Sequence, residues 1–198
     1  MTAMNAFSAP ISKFKTDLDL KDLYNKVSGL EYRPGQNNEP DQSINCFLNE
    51  HEDFSMLAAD ILEACAYHNK EVGYADVPLK ITQMWSNKYV EGSQIRPHTH
   101  SNSFLSGVFT VSGSEEDATV FINPLRFIRD AWNLPRVNET QFSANYYFNK
   151  SLPGELTIFP SWLEHSSTTI TQERYTISFN VVPTELGEKH ALNYLKIT

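Results

Sequence analysis

Three of the six histidines in the chain have the spacing of a metal site. His98 and His100 stand two residues apart in the segment IRPHTHSNS, and His165 follows far downstream in FPSWLEHSS. A β-strand sends residues i and i+2 to the same face, so the first two imidazoles can reach one cation. We predict that His98, His100 and His165 bind a single metal ion; the alternative is a polar strand end with an unrelated surface histidine.

A cationic residue begins the clearest strand pattern in the chain, ERYTISFNVV. Its apolar positions are Tyr175, Ile177, Phe179 and Val181, and its polar positions are Arg174, Thr176, Ser178 and Asn180. If this strand lies inside a sandwich, Arg174 needs an anionic partner, because an unpaired buried charge is costly. That partner could be a ligand. The other interpretation is a solvent-facing stripe with a hydrated Arg174.

Together these segments resemble the iron(II)/2-oxoglutarate-dependent oxygenase superfamily. More narrowly, they resemble its bacterial and phage subgroup with HxH and FPSWLxH motifs. The resemblance runs from about residue 80 to 185 and rests on the following segments: Trp85-Ser86-Asn87, His98-Thr99-His100, Ser106 through Phe109, Gly154 through His165, and Arg174 through Asn180.

The resemblance implies a double-stranded β-helix, or jelly roll, that binds Fe(II) and uses 2-oxoglutarate as a co-substrate. It implies that Arg174, with Thr176 beside it, holds the far carboxylate of 2-oxoglutarate, as suits a planar guanidinium. It places Asn87 on a cavity-lining strand, where it contacts the co-substrate. The implied enzyme is a 2-oxoglutarate-dependent dioxygenase that hydroxylates a substrate which the sequence does not identify.

The chain departs from the superfamily pattern at one metal-binding position. His100 stands where the superfamily usually has an aspartate or glutamate. Three neutral imidazoles would leave the iron site one negative charge short. Either His100 is the third ligand, or an acidic residue elsewhere replaces it, or the site prefers another metal. The nearest acidic residues, Glu115 and Asp117, lie in the turn-like segment SGSEED, where we expect them to be solvated.

The elements that must position these residues are mainly β-strands, preceded by helices. Apolar spacing predicts helices over about 18–28 and 53–70, the first starting near Thr16. Residues 29–49 read as a long loop, and residues 126–136 as a short helix or an inserted loop. From residue 78 onward, about eight short strand-like runs follow. We expect one domain over 1–198, with a helical part at about 16–73 and a jelly-roll core at about 78–185.

Composition and charge limit the kinds of molecule that the chain is expected to bind. A net charge of −8 without a Lys/Arg cluster argues against nucleic acid, and no apolar run is long enough to cross a membrane. Cys46 and Cys65 form no CxxC motif, and Cys65 falls on the apolar face of the second helix, which suits a core residue in a cytoplasmic protein. We expect a small-molecule or peptide substrate and, through exposed sheet edges, a possible homodimer.

Two other functions remain open at this point. One is a cupin-like metal enzyme that uses three histidines without 2-oxoglutarate, and the other is a non-catalytic jelly-roll binding module. The role of Arg174 distinguishes the first, since that chemistry needs no anchor for a diacid. Iron binding distinguishes the second.

Overall fold

Two antiparallel β-sheets, one of seven strands and one of three, form the body of the fold. The computed structural model describes residues 8–129, 135–150, 152–187 and 192–197. The strands in chain order are β1 Ser12–Lys15, β2 Tyr32–Arg33, β3 Asp41–Ser43, β4 Leu79–Tyr89, β5 Leu105–Ser112, β6 Ala118–Ile122, β7 Tyr146–Lys150, β8 Glu155–Pro160, β9 His165–Ser167, β10 Arg174–Pro183, β11 Glu185–Leu186 and β12 Leu195–Lys196. The large sheet has the order β1-β8-β5-β10-β4-β3-β2, the small sheet β7-β6-β9, and β11 pairs with β12. This architecture is the predicted jelly roll.

Two N-terminal helices lie against the large sheet. The helix α1 spans Leu20–Ser28 and α2 spans Ser55–Glu71, close to the predicted ranges, and α3 is a single turn at Arg126–Arg129. The cap of α1 is Asp19, not Thr16, because the Asp19 carboxylate accepts the backbone N–H groups of the first turn. No helix in the described ranges is long and apolar enough to span a membrane.

The two faces of β10 explain why the site lies where it does. Its apolar face, with Ile177 and Phe179 at the centre, joins the main core formed with α1 and α2. Its polar face points the other way, toward the small sheet, and is also buried: Arg174 is 2% exposed and Thr176 is fully buried. The solvent-facing interpretation of this stripe is therefore wrong. Burial on both faces turns the polar side of β10 into the wall of an internal site.

Two sequence predictions about elements need correction, and a third can be compared with the structure only in part. The segment 92–100 is not a strand: it joins β9 through an isolated bridge between His98 and His165 and through a hydrogen bond from the N–H of Ser167 to the carbonyl oxygen of Ile95. The expected loop at 29–49 contains β2, β3 and a short 3-10 helix at Leu48–Glu50. Of the segment 126–136, the first four residues form α3, and 130–134 lie outside the described residues. The short helix was one of the two predicted alternatives for 126–136, whereas backbone pairing with distant strands, which leaves little trace in local patterns, decides the structure of the other two segments.

The two cysteines are not joined. Both are free thiols, and Cys65 is fully buried on the core side of α2, as predicted. Burial raises the pKa of the Cys65 thiol to about 12, since an apolar environment disfavours the thiolate. Cys65 is an inert core residue.

Gly107 on β5 is required for close packing, which gives a test of the core. A Cβ at this position would lie 2.2 Å from Cζ of Phe179 and 2.5 Å from the carbonyl oxygen of Thr157. We expect Gly107→Ala to lower the free energy of unfolding by about 1–3 kcal/mol, measured by urea denaturation. The control is Gly29→Ala, where the nearest atom would lie at 3.4 Å. Equal stability of the two variants would contradict this account of β5 packing.

Candidate metal site and its cavity

The three predicted histidines meet at one point. One ring nitrogen from each of His98, His100 and His165 lies within 4.8 Å of the other two. Nε2 of His100 and Nε2 of His165 are 3.3 Å apart. Two nitrogens that each bind one metal ion at about 2.1 Å lie roughly 3–4 Å apart. The arrangement therefore fits a divalent cation with all three imidazoles on one side of it.

Backbone hydrogen bonds bring these histidines together. His98 and His165 exchange two N–H···O bonds of 2.9 and 3.0 Å, and the N–H of His100 donates to the carbonyl oxygen of Ser161 at 3.0 Å. His165 also begins β9, the edge strand of the small sheet. The segment carrying the first two histidines is thus held beside the third, and the metal site closes one end of the sandwich.

Each imidazole is held in the tautomer that a metal requires. Nδ1 of His98 lies 2.9 Å from the carbonyl oxygen of Arg96, and Nδ1 of His165 lies 2.9 Å from that of Leu163. Nδ1 of His100 lies 2.7 Å from Oδ1 of Asn180. Carbonyl oxygens only accept, so every Nδ1 carries the proton and every Nε2 presents a lone pair to the shared point.

These hydrogen-bond partners are not the ones that the sequence suggests. The polar neighbours of the histidines in sequence are Ser101, Asn102, Ser166 and Ser167. Two of the actual partners are backbone carbonyls two residues upstream, and the third, Asn180, comes from β10. Side-chain identity gives no information on a backbone acceptor, so only the polar alternation of β10 could have indicated Asn180.

Burial keeps two of the histidines neutral. Desolvation, with a smaller effect of nearby His98, lowers the pKa of His100 to about 4 and that of His165 to about 3. A neutral imidazole is the form that binds metal. At neutral pH, a cation therefore has no proton to displace from these two side chains.

The lowered pKa values predict an acid-sensitive metal-free protein. An unfolded histidine titrates near pH 6.5, so below that pH the unfolded chain takes up protons at positions 100 and 165 that the folded chain does not. The free energy of unfolding is expected to fall by on the order of 2 kcal/mol per buried histidine between pH 6.5 and 5. Urea midpoints at each pH measure it. His165→Gln should make the free energy of unfolding depend less steeply on pH. His51→Gln, at an exposed position, should leave this dependence unchanged. An unchanged slope in the His165 variant would contradict the prediction.

Asp117 is not the solvated residue that its sequence context suggests. It is fully buried, and its Oδ1 accepts the backbone N–H and the hydroxyl of Thr171 at 3.1 and 3.2 Å. It structures the turn before β6, whereas Glu115 is exposed as expected. In the described part of the chain, the histidine cluster includes no acidic residue.

Arg174 lies in the same cavity as the three histidines. The cavity has a volume of about 790 Å³, and Arg174 forms part of its wall. The guanidinium lies 5.6 Å from the ring centre of Tyr89, and its Nε has no hydrogen-bond partner within the described residues. Desolvation lowers the pKa of Arg174, and the smaller electrostatic effects of Tyr89 and Asp117 raise it. No carboxylate of the described residues lies within salt-bridge distance of it. A buried cation in this state calls for an anionic ligand.

The other two predicted co-substrate residues lie close to Arg174 but differ in access. Asn87 pairs with Thr176 across β4 and β10, and its Nδ2 donates to Ser178 at 3.0 Å and to Thr176 at 3.4 Å. Asn87 and Ser178 line the cavity, whereas Thr176 is fully buried behind them. The sequence reasoning missed Tyr89 and Ser178. The alternation of β10 could have indicated Ser178, since it shares a face with Arg174.

A jelly roll with three converging imidazoles, and in the same cavity a buried arginine that has no salt bridge within the described residues, has the groups that a metal enzyme with an anionic co-substrate requires. Residues 83–180 match the model of the family described as "Putative 2OG-Fe(II) oxygenase". This region, which carries the whole candidate site, belongs to the 2OG-Fe(II) oxygenase family, and the chain is an enzyme of the 2-oxoglutarate-dependent dioxygenase type. The match covers the three histidines, Asn87, Arg174 and Thr176.

Solved structures share the fold at low sequence identity. HygX from Streptomyces hygroscopicus, with nickel and 2-oxoglutarate bound, has a TM-score of 0.63 and 12% identity, with 96% of this chain and 93% of that chain covered. The non-haem α-ketoglutarate-dependent epimerase SnoN from nogalamycin biosynthesis has a TM-score of 0.64 and 11% identity, with 93% of this chain and 81% of that chain covered. A Pseudomonas putida prolyl-4-hydroxylase has a TM-score of 0.56 and 13% identity, with 87% of this chain and 93% of that chain covered. A search of curated protein sequences gave no match.

Proposed function

We propose that this chain binds one Fe(II) through His98, His100 and His165, binds 2-oxoglutarate through Arg174, and hydroxylates a third, organic substrate in the same cavity. The observation that carries the proposal is the buried guanidinium of Arg174, which has no carboxylate within salt-bridge distance in the described residues and faces the same cavity as three free Nε2 lone pairs. Neither feature is useful to the fold alone. A cation and a dicarboxylate bound together would satisfy both.

The three histidines leave one side of the metal open. Imidazoles crowded on one face of a cation leave the opposite positions for the co-substrate and for oxygen. When bound, iron(II) and 2-oxoglutarate supply the oxidising chemistry: 2-oxoglutarate and O2 become succinate and CO2, and one oxygen atom enters the substrate. The protein fixes the ligand nitrogens before the metal arrives, since each Nδ1 is already hydrogen-bonded.

Arg174 orients the co-substrate and apolar side chains limit water. A guanidinium can hold a carboxylate with two parallel hydrogen bonds, and Ser178 and Asn87 offer polar groups on the same wall. Near the metal site, Trp85 stacks on His100 with 6.0 Å between the ring centres. Phe159 packs edge-on against His165 with 4.5 Å between the ring centres. Excluding water from this side strengthens the electrostatic contacts and protects the reaction.

His100 serves as the third ligand in this proposal, and Asn180 holds it. Oδ1 of Asn180 also accepts the hydroxyl of Ser106 at 2.8 Å, and its Nδ2 lies 3.4 Å from Oε1 of Gln83. In this arrangement the amide places its oxygen toward His100 and its nitrogen toward Gln83. This role explains why a polar residue is buried at position 180.

The Asn180 contact can be tested directly. We expect Asn180→Leu to weaken metal binding by about 10- to 100-fold, since the ring of His100 loses the acceptor that sets its tautomer. Asn180→Asp, which keeps an acceptor, should bind metal at least as tightly as the wild-type protein. A titration of Zn²⁺ against a coloured chelator measures both. Wild-type affinity in the leucine variant, with the fold intact by circular dichroism, would rule out this role.

Relatives of the same fold support the proposal. HygX has been solved with nickel and 2-oxoglutarate bound, and SnoN with Fe³⁺ and α-ketoglutarate. A cupin-like enzyme without 2-oxoglutarate would have no use for Arg174, and a binding module would have no use for three aligned Nε2 atoms. Both alternatives therefore predict a different outcome in the following experiment.

The test uses the protein with Fe(II) under nitrogen. We expect one Fe(II) per chain and, on adding 2-oxoglutarate, a visible charge-transfer band. Exposure to air should then give slow succinate formation without any added substrate. Iron binding without the band would favour the cupin-like alternative, and absence of iron binding would favour the binding module.

A further inference from the structure

The cavity has a second wall, built from the segment that the sequence predicted as a loop. Arg33 on β2, Gln42 on β3 and Asn87 on β4 occupy one row across the large sheet, since Arg33 pairs with Gln42 and Gln42 pairs with Asn87. Paired residues of antiparallel strands point to the same face. Asn87 points into the cavity, and Arg33 and Gln42 line it as well.

The other charges on this wall cancel. Arg96 lies 2.7 Å from Oε1 of Glu39, and the backbone N–H of Gln94 donates to the carbonyl oxygen of Asn38 at 2.9 Å. These two contacts join the turn after β2 to the segment that leads into His98. Arg96 and Glu39 therefore form a neutral pair at the edge of the cavity.

Arg33 has no such counter-charge. Its guanidinium donates to Oε1 of Gln42, which is a neutral amide. Within the described residues, no carboxylate lies within salt-bridge distance of Arg33. Asp41, its nearest acid across the β2–β3 pair, neighbours Gln42 in sequence and so points to the other face. Arg33 is exposed and lines the cavity, so its guanidinium is accessible to a ligand without having to leave a carboxylate of the described residues.

The metal site supplies no such counter-charge when the co-substrate is bound. A divalent cation and the dianion of 2-oxoglutarate cancel, and neutral imidazoles contribute nothing. A carboxylate at position 100 would offset Arg174, but this chain has a histidine there. Among the charged side chains that line the cavity in the described residues, Arg174 and Arg33 are therefore the two without a protein carboxylate at salt-bridge distance, and 2-oxoglutarate would pair with Arg174 only.

From this charge balance and from the position of Arg33, we propose that the substrate is an organic anion whose carboxylate binds Arg33. The inference rests on the proposed function and names the substrate class for the same cavity. Arg33 suits the task because its fork can bind a carboxylate bidentately and because Gln42 holds it in place. Neutral analogues of the substrate leave the charge unpaired and bind more weakly.

The experiment measures binding instead of turnover. The protein is loaded with Zn²⁺ and saturating 2-oxoglutarate, and saturation-transfer NMR follows a mixture of amino, hydroxy and aromatic carboxylic acids, each with its primary amide. The signals of 2-oxoglutarate are followed in the same spectra, so that acids which only displace it from Arg174 are recognised. We expect at least one acid to bind alongside 2-oxoglutarate, at least tenfold more tightly than its amide.

Variants assign this preference to Arg33. Arg33→Gln should abolish the tenfold preference, Arg33→Lys should retain part of it, and Lys21→Gln, which makes the same charge change at an exposed helix position, should leave it unchanged. Acids and amides binding equally, no acid binding at all, or an Arg33→Gln variant with the full preference would each overturn the inference. Failure of the protein to bind 2-oxoglutarate would instead refute the proposed function, and the 2-oxoglutarate signals report that separately.

Discussion

Replacing Arg174 by glutamine is expected to weaken 2-oxoglutarate binding by on the order of 10²-fold or more, while Fe(II) still binds. The loss reflects a bidentate, charge-assisted contact inside a cavity where Arg174 is 2% exposed. The metal site is retained because Arg174 makes no hydrogen bond to the histidines or to the residues that hold them. The measurement is a titration of the charge-transfer band with 2-oxoglutarate. Arg174→Lys should have a 2-oxoglutarate affinity between those of the wild-type protein and Arg174→Gln, since lysine keeps the positive charge but lacks the planar guanidinium.

Replacing the same arginine by methionine is expected to stabilise the ligand-free protein. Arg174 is a buried cation without a salt-bridge partner in the described residues, so its removal relieves a desolvation cost. We expect Arg174→Met to raise the free energy of unfolding by about 1–3 kcal/mol in the absence of ligands. Arg96→Met, at an exposed ion pair, serves as the control and should change stability little. A destabilised Arg174→Met protein with unimpaired 2-oxoglutarate binding would show that the arginine is structural.

Removing a single imidazole from the cluster is expected to abolish tight metal binding. His165→Ala and His100→Ala should each weaken Zn²⁺ or Fe(II) binding by at least 10³-fold, because two remaining imidazoles cannot hold a first-row cation as three do. Competition with a chelator of known affinity measures the loss. His51→Ala, at an exposed histidine far from the cavity wall, should bind metal like the wild-type protein.

Position 100 distinguishes the open alternatives for the third ligand. If His100 is a ligand, His100→Asp should recover much of the metal binding that His100→Ala loses, since a carboxylate oxygen also binds Fe(II). If an acidic residue elsewhere were the ligand, His100→Ala would bind metal like the wild-type protein. The structure favours the first outcome, because Asp117 is committed to Thr171 and the described cluster contains histidines only.

Local sequence patterns were sufficient for the elements that carry the site. The alternation of β10 identified its two faces, and the apolar spacing of residues 54–66 identified α2 and the buried position of Cys65. These patterns are readable because burial selects for side-chain type at the period of the element itself. The segment of His98 and His100 was placed on a strand for the same reason, wrongly, because an extended chain and a paired strand share that period.

By itself, the sequence determined which residues do the chemistry that we propose: three histidines, one arginine and the polar face of one strand. Only the tertiary structure decided how they are held. It buried the polar face of β10 against the small sheet, supplied two backbone carbonyls and Asn180 to the imidazoles, and turned Arg33 toward the cavity through β2 and β3. The physical reason is that contacts between distant segments depend on backbone groups and strand pairing, which residue types specify only weakly.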